Sequence, residues 1–255
     1  MAGEREPQIV IGGNLAEGFN NADIERTRQR LQKGKQYKDL STICIVPTRD
    51  KIPARVVENW MGLMTPMNNR FIRMFVSGME VGDAYEKAIE TIMEHPILNQ
   101  FKYILTMEED NMPPPDGLLK LLESICDCKV PCKDHFVQVA GLYYTKGEMG
   151  QPMIYGDPRN PTAAMGFQPQ IPIPDKLQEC NGTGMGFTLF HIGLFRDKKL
   201  ERPWFKTIQE HGPGGSAMGT QDLYFMGKIR RLGYKIASDN RVKVGHYEYD
   251  SNMVW

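Results

Sequence analysis

Three short apolar segments, each followed by a segment of helical periodicity, constrain the fold of this chain most. The predicted strands are TICIVP at 42–47, RFIRMFV at 70–76 and KYILTM at 102–107. Apolar residues spaced for one helix face lie at 56–64 and 85–93, and a third helix begins near Asp116. Alternating strands and helices are typical of a mostly parallel sheet with helices on both faces. We therefore predict an α/β fold of this Rossmann-like kind.

The chain of 255 residues is long enough for one large domain. We predict an N-terminal charged extension at 1–40 and a single folded domain at 41–255. The extension carries closely spaced basic residues: Arg26, Arg28, Arg30, Lys33, Lys35 and Lys38. They leave two interpretations open, a solvated helix or arm and a surface for an anionic partner.

Charge and composition exclude few classes of protein. Lys and Arg total 31, as do Asp and Glu, so no whole-chain charge attracts nucleic acid or an anionic membrane. No segment approaches the roughly 20 apolar residues of a membrane span, and the first residues are too polar for a secretory signal. The five cysteines do not resemble a disulfide framework. We expect a cytoplasmic protein without a membrane partner.

An acidic cluster directly follows the third predicted strand, in YILTMEEDNMPPPDGL. Side chains alternate along a strand, so Glu108 and Asp110 are expected on the same side. Carboxylates at the carboxyl end of a parallel strand lie where α/β folds bind ligands, and Mg²⁺ or Mn²⁺ prefers such oxygen ligands. A solvated acidic turn before a helix is the alternative.

Two further residues stand out later in the sequence. His246 lies on the short alternating strand RVKVGHY, and an imidazole is a good ligand for Mn²⁺. Asp222 lies in the first turn of a predicted helix, after the glycine-rich run HGPGGSAMG, which we expect to be a loop able to move over a substrate. Asp222 is either a first-turn acid that stabilises the helix or a general base.

The order of PTR, EEDN, GTGMGFTLF, QD before RLGYKI, and a late histidine resembles GT-A fold nucleotide-sugar glycosyltransferases. The likeness covers residues 42–250 and is to short soluble family 2-like enzymes of phages and microbes. It implies transfer of a sugar from a nucleoside-diphosphate sugar, expected to be a UDP-sugar. It also implies that Mn²⁺ or Mg²⁺ is held by Asp110, His246 and Glu108. Asp222 is then the acceptor-side carboxylate, which deprotonates the acceptor hydroxyl in an inverting transfer or positions the substrate in a retaining one.

The resemblance also implies a set of donor-binding residues: Pro47, Thr48, Arg49, Glu109, Asp110, Gly182, Thr183 and Gly184. EED replaces the usual DxD, and the second strand lacks the paired aspartates with which many members recognise the base. The acceptor hydroxyl remains open among a protein, a metabolite, a polysaccharide precursor and a hydroxymethylated base in phage DNA. For a phage protein the location would be the host cytoplasm.

Other interpretations compete with this one. A nucleotidyltransferase also uses an α/β sheet and a carboxylate-bound metal, but PTRDKIPAR is not the glycine-rich loop expected after its first strand. A non-catalytic nucleotide- or sugar-binding module remains if the acidic cluster and His246 do not meet in space. Tyr144 and Trp204 are aromatic candidates for stacking on a sugar or base, with core packing favoured for Trp204.

One cluster of cysteines suggests a different site. Cys126, Cys128, Cys132 and His135 have the spacing C-x-C-x₃-C-x₂-H, which is not a common zinc-finger spacing. Free thiols at the end of a helix are the favoured interpretation, and structural zinc is the alternative.

Overall fold

A seven-stranded sheet forms the centre of the molecule, with strand order β2-β1-β3-β9-β5-β12-β7. The computed structural model describes residues 38–67, 70–158, 168–212 and 215–255. The seven strands are β1 Thr42–Thr48, β2 Phe71–Ser77, β3 Tyr103–Met107, β5 Phe136–Leu142, β7 Leu177–Cys180, β9 Phe187–His191 and β12 Lys235–Lys243. All but β7 and β9 run in the same direction. The predicted α/β class with a mostly parallel sheet is confirmed.

Four α-helices lie in the described part of the chain: α1 Ala54–Met61, α2 Val81–Glu94, α3 Gly117–Ser124 and α4 Gln221–Arg231. Two 3₁₀ turns cover Leu98–Gln100 and Ile192–Arg196. Short strands outside the central sheet form three smaller sheets: β4 Asn111–Met112, β13 Gly245–Glu248 and β14 Met253–Val254; β6 Ile154–Tyr155 and β8 Gly182–Thr183; β10 Ile208–Gly212 and β11 Gly215–Gly219.

Alternate residues of β1 pack into two different cores. Ile43 and Ile45 join the core formed with α2 and α4, whereas Cys44 and Val46 join the core formed with α1 and α3. Because a strand directs successive side chains to opposite faces, this division places helices on both faces of the sheet. The apolar spacing in the sequence predicts these four helices correctly.

The strands β9 and β7 were not expected to run antiparallel to their neighbours. β9 lies between β3 and β5 and is antiparallel to both. A parallel connection needs a crossover, usually helical, but the described chain between β5 and β9 contains only the short strands β6, β7 and β8. The long glycine- and proline-rich segment therefore returns the chain in the opposite direction.

Two local predictions differ from the structure. The glycine-rich run before Asp222 forms the antiparallel hairpin β10–β11 and not an irregular loop. The predicted strand RVKVGHY at 241–247 is divided, because β12 continues through a bulge between Asp239 and Lys243 before β13 begins. Glycine is depleted in strands, which is why composition gave no strand signal for the hairpin.

The carboxyl ends of β1 and β3 are adjacent, because these strands pair in parallel with Thr42 opposite Tyr103 and Ile45 opposite Thr106. Residues 48–49 and 108–111 thus emerge from the same edge of the sheet. β13 reaches this edge from the far end of the chain, since it pairs antiparallel with β4 and sets His246 opposite Asn111. This edge is the position at which α/β sheets bind ligands.

Candidate active site

Glu109 ties the ends of the two central strands together. One carboxylate oxygen accepts hydrogen bonds from the Thr48 hydroxyl at 2.9 Å and the Arg49 amide at 2.8 Å. The other oxygen pairs with Nε of Arg49 at 2.5 Å. This hydrogen bond to Glu109 raises the pKa of Arg49, and the negative charge of Glu109 raises it further. Glu109 is buried whereas the Arg49 side chain is 86% exposed, so Glu109 holds the ends of β1 and β3 together from the inside.

Asp110 is the carboxylate that meets other charged side chains. Its Oδ2 lies 2.6 Å from Nζ of Lys146 and 3.4 Å from Nε2 of His246. Burial alone would raise the pKa of Asp110, but the hydrogen bonds from His246 and Lys146 outweigh it and lower that pKa to about 2. Asp110 is therefore an anion at any physiological pH, ready to hold a cation.

The orientation of His246 is fixed from behind. Its Nδ1 lies 2.8 Å from the carbonyl oxygen of Tyr144, which can only accept, so Nδ1 carries a proton. The ring also packs edge-on against Tyr143, with centroids 5.4 Å apart. A proton on Nε2 would be donated to Asp110, as in the hydrogen bond that lowers the pKa of Asp110; without that proton, Nε2 presents its lone pair toward Asp110. Two acceptors at this distance need a cation between them, either a proton or a metal ion.

Glu108 lies on the opposite side of the strand end from Glu109. Its Oε1 accepts a hydrogen bond from the Tyr85 hydroxyl at 3.4 Å, and its amide donates to the carbonyl of Gly186 at 3.0 Å. Burial, followed by the charges of Asp110 and Asp222, raises the pKa of Glu108 to about 8. The charges of Asp110 and Asp222 thus both act on Glu108.

Asp222 is buried in the first turn of α4. Its Oδ1 accepts from the amide of Leu223 at 2.8 Å and from the Thr220 hydroxyl. Burial raises its pKa, and its charge in turn raises the pKa of Glu108 and of Tyr143. A buried aspartate with a raised pKa beside other carboxylates is typical of a functional site as well as of a helix-stabilising acid.

The glycines near the site accommodate neighbouring side chains. A Cβ on Gly184 would overlap the ring of Tyr143, at 2.7 Å from Cζ, and a Cβ on Gly186 would lie 2.7 Å from Cγ of Asn111. The amide of Gly186 donates to the Tyr143 hydroxyl at 3.1 Å. These glycines let Tyr143 and Asn111 pack tightly behind the acidic cluster.

Gly182 and Thr183, which the resemblance assigns to the donor, lie in β8. The Thr183 hydroxyl accepts from the buried Gln138 amide at 3.0 Å, and its backbone amide contacts the sulfur of Met226 at 3.0 Å. Pro47 ends the core-facing part of β1. Direct donor contact by these residues, by Gly184 and by the Thr48–Arg49 pair stays a prediction.

Asn111 has unused hydrogen-bonding capacity. It is fully buried, and neither its Oδ1 nor its Nδ2 has a partner among the described residues, although its backbone carbonyl accepts from the Trp60 indole at 2.8 Å. Buried side-chain amides are usually satisfied, so an unsatisfied one beside a charged cluster is a candidate ligand contact.

The structure therefore brings Asp110 and His246 together. Glu108 and Asp222 are linked to this pair only by charge, and among the described residues Glu108 does not join Asp110 and His246 in a group close enough to hold a metal ion. Sequence reasoning missed three side-chain contacts of these residues, Tyr85, Tyr143 and Lys146, and the buried Asn111 opposite His246. Lys146 lies in the glycine- and proline-rich segment after β5, where nothing in the spacing indicated which cation would reach Asp110.

The remaining candidates lie elsewhere. Trp204 is buried, with its ring 5.4 Å from Phe195, so core packing is confirmed for it. Tyr144 is partly exposed and contributes its carbonyl to His246. Cys126, Cys128, Cys132 and His135 form a separate cluster in which one ligand atom from each residue lies within 4.8 Å of the others, close enough to hold a metal ion.

Comparisons with known proteins bear on the fold. No family model and no curated protein matches the chain. Among solved structures, the chain is similar to the crystal structure of A197 from STIV, with a TM-score of 0.56 and 15% identity over 84% of this chain and 93% of that chain. At this identity the likeness supports the α/β fold.

The helices were also compared with the length and hydropathy of membrane spans. Within residues 38–67, 70–158, 168–212 and 215–255, no helix is both long and apolar enough to cross a membrane.

Proposed function

We propose that this protein is a metal-dependent glycosyltransferase that transfers a sugar from a nucleoside-diphosphate sugar, expected to be a UDP-sugar, to an acceptor hydroxyl. The α/β fold is compatible with a nucleotide-sugar-binding module. The observation that carries the proposal is the meeting of Asp110 and His246 at 3.4 Å at the carboxyl edge of the sheet.

The chemistry of these side chains suits Mn²⁺ or Mg²⁺. Asp110 supplies a carboxylate oxygen, and His246 supplies Nε2, because its Nδ1 already bonds the Tyr144 carbonyl. Glu108 is the third proposed ligand; burial and then the charge of Asp110 raise its pKa. A metal-binding histidine normally donates its second N–H to a carbonyl or carboxylate, as His246 does to Tyr144. When bound, such an ion stabilises the negative charge of a departing diphosphate.

Lys146 belongs to the same cationic environment. Its ammonium lies 2.6 Å from Asp110 and is about one-third exposed. Lys146 neutralises Asp110. Because the lysine side chain is long and flexible, its ammonium group can also move to pair with a phosphate oxygen. We assign it to the stabilisation of the leaving group.

Asp222 is the proposed base for an inverting transfer. It is buried and its pKa is raised, both of which suit a carboxylate that must accept a proton near neutral pH. Its charge contributes to the raised pKa of Glu108, after burial and the charge of Asp110, which supports a position close to the acidic cluster. For a retaining transfer no base is needed, and Asp222 positions the acceptor.

A non-catalytic nucleotide-binding module is the second candidate. The unsatisfied side-chain amide of Asn111 is consistent with a bound ligand, but it gives no indication that the ligand reacts. A nucleotidyltransferase is a weaker candidate, since residues 48–53 after β1 contain no glycine.

The first experiment is a thermal-shift and calorimetric panel of UDP, GDP, CDP and ADP, each with and without Mn²⁺. We expect one diphosphate to stabilise the protein, and only with the metal. His246→Ala should lose the metal-dependent part, whereas His95→Ala, an exposed histidine after α2, should retain it.

Hydrolysis of the matching nucleotide sugar then separates the candidates. Metal-dependent binding with hydrolysis supports the transferase, and binding without hydrolysis or transfer supports the binding module. Absence of any stabilisation by all four nucleotides contradicts both.

A further inference from the structure

We propose that Cys126, Cys128, Cys132 and His135 form a structural zinc site, separate from the candidate active site. These residues lie in the connection between α3 and β5. The proposed ion is a closed four-ligand zinc that holds this connection in place.

The distances between ligand atoms match a tetrahedral site. The sulfur of Cys132 lies 3.6 Å from that of Cys126 and 3.7 Å from that of Cys128. With zinc–sulfur bonds of about 2.3 Å, tetrahedral geometry places two sulfurs about 3.8 Å apart. The Nδ1 atom of His135 is 3.0 Å from the Cys132 sulfur, against about 3.5 Å when both bind zinc. A shift of half an ångström in one exposed ring completes the set.

The type of ligand selects the metal. Three thiolates and one imidazole suit zinc, whereas Mg²⁺ and Mn²⁺ prefer oxygen. The sulfur separations are far longer than a disulfide bond of about 2.05 Å, and all three cysteines are free thiols. Four protein ligands fill a tetrahedral zinc, so the site would have no position for a substrate.

Contacts behind the ligands hold their backbone in position. His191 donates from Nε2 to the carbonyl of Cys128 at 3.0 Å, while its Nδ1 accepts from the amide of Gly193. Lys102 donates to the carbonyl of Asp127 at 2.8 Å. A Cβ on Gly193 would lie 2.5 Å from Pro131, so the connection packs closely on the second 3₁₀ turn. Such supporting contacts are typical of metal sites.

The position in the fold indicates a structural role. The amide of Cys126 donates to the carbonyl of Phe136, the first residue of β5, and Lys102 directly precedes β3. The cluster therefore lies at the amino ends of strands whose carboxyl ends carry the acidic site. The five residues of β3 alone separate the two sites by roughly 15 Å.

The test is the metal content of the full chain. We expect inductively coupled plasma and native mass spectrometry to find one zinc per chain after extensive dialysis. Replacement by Co²⁺ should give a visible spectrum of tetrahedral cobalt and a thiolate charge-transfer band. His135 is exposed, so His135→Ala should keep the fold and weaken zinc binding at least about tenfold.

Matched variants make the test decisive. Cys132→Ser should lose the zinc, whereas Cys180→Ser, a buried thiol in β7, should retain it. The proposal is overturned if wild-type chain supplied with zinc carries none after dialysis, if Cys132→Ser and His135→Ala bind zinc as wild type does, or if two of the thiols prove to be joined in a disulfide.

Discussion

Asp222 is buried and lies in the first turn of a helix, and the effects of these two features can be tested separately. Asp83 shares the first-turn position in α2 but is exposed. The two aspartates are therefore a natural pair for testing which feature matters.

We expect Asp222→Asn to leave donor and metal binding intact and to cut sugar transfer by about 100-fold or more, because the amide cannot accept the acceptor's proton. Asp83→Asn should change transfer little. Initial rates with saturating donor measure both. A loss of less than about threefold in Asp222→Asn would indicate a positioning role.

Part of the site was predictable from individual residues. Position at a strand end and metal-binding chemistry selected Asp110 and His246, and the structure brings them within 3.4 Å. Sequence could not distinguish Glu109 from its neighbours, because its role depends on which face of the strand end meets Thr48 and Arg49. Lys146 was missed because the segment that carries it has no periodicity.

At the scale of elements, the close approach of β9 to β4 depends on a glycine. Gly186 immediately precedes β9, and Asn111 begins β4, which in turn pairs with the strand of His246. The contact between Gly186 and the Asn111 amide thus connects the central sheet to the site.

Gly186→Ala is expected to destabilise the protein by about 1–3 kcal/mol, because the new methyl group overlaps the Asn111 side chain. In an Asn111→Ala background, where that side chain is absent, the same change should cost much less. Denaturant unfolding of the four proteins of this cycle measures the difference. Gly62→Ala, where the nearest atom is a carbonyl oxygen at 3.3 Å, is the control. Equal losses in both backgrounds would contradict the overlap.

The elements themselves were largely predictable. Apolar spacing gave α1 to α4 and the strands β1, β2 and β3, because each buries one face or both faces of a regular structure. The sequence did not predict that β7 and β9 belong to the central sheet and run antiparallel to their neighbours. Direction is set by how the chain returns to the sheet, and no local pattern records that path.

At the scale of the whole molecule, the question for experiment is whether the basic N-terminal extension binds an anionic partner. Residues 1–37 lie outside the described part of the chain. Leu40 is buried in the core beside α1 and α3, and Lys38 pairs with Asp127 at 2.7 Å. A truncation that spares the domain should therefore end at residue 37.

If the acceptor is DNA, removal of residues 1–37 should weaken DNA binding and reduce its dependence on salt, because fewer phosphates are neutralised. Fluorescence anisotropy with duplex DNA over a range of salt concentrations measures both quantities. Replacing Arg26, Arg28 and Arg30 by Gln in the full chain should give a smaller change in the same direction. An unchanged affinity and salt slope would remove DNA as a partner of this segment.

The insertion of β9 between β3 and β5 also sets the order in which a growing chain can become compact. Until residues 187–191 leave the ribosome, β3 and β5 each lack the partner that covers one edge. Open apolar strand edges attract other chains and chaperones. The open edge of β3 therefore persists until β9 has emerged, the second edge of β5 persists until β12 has emerged, and the Asp110–His246 pair forms only after both.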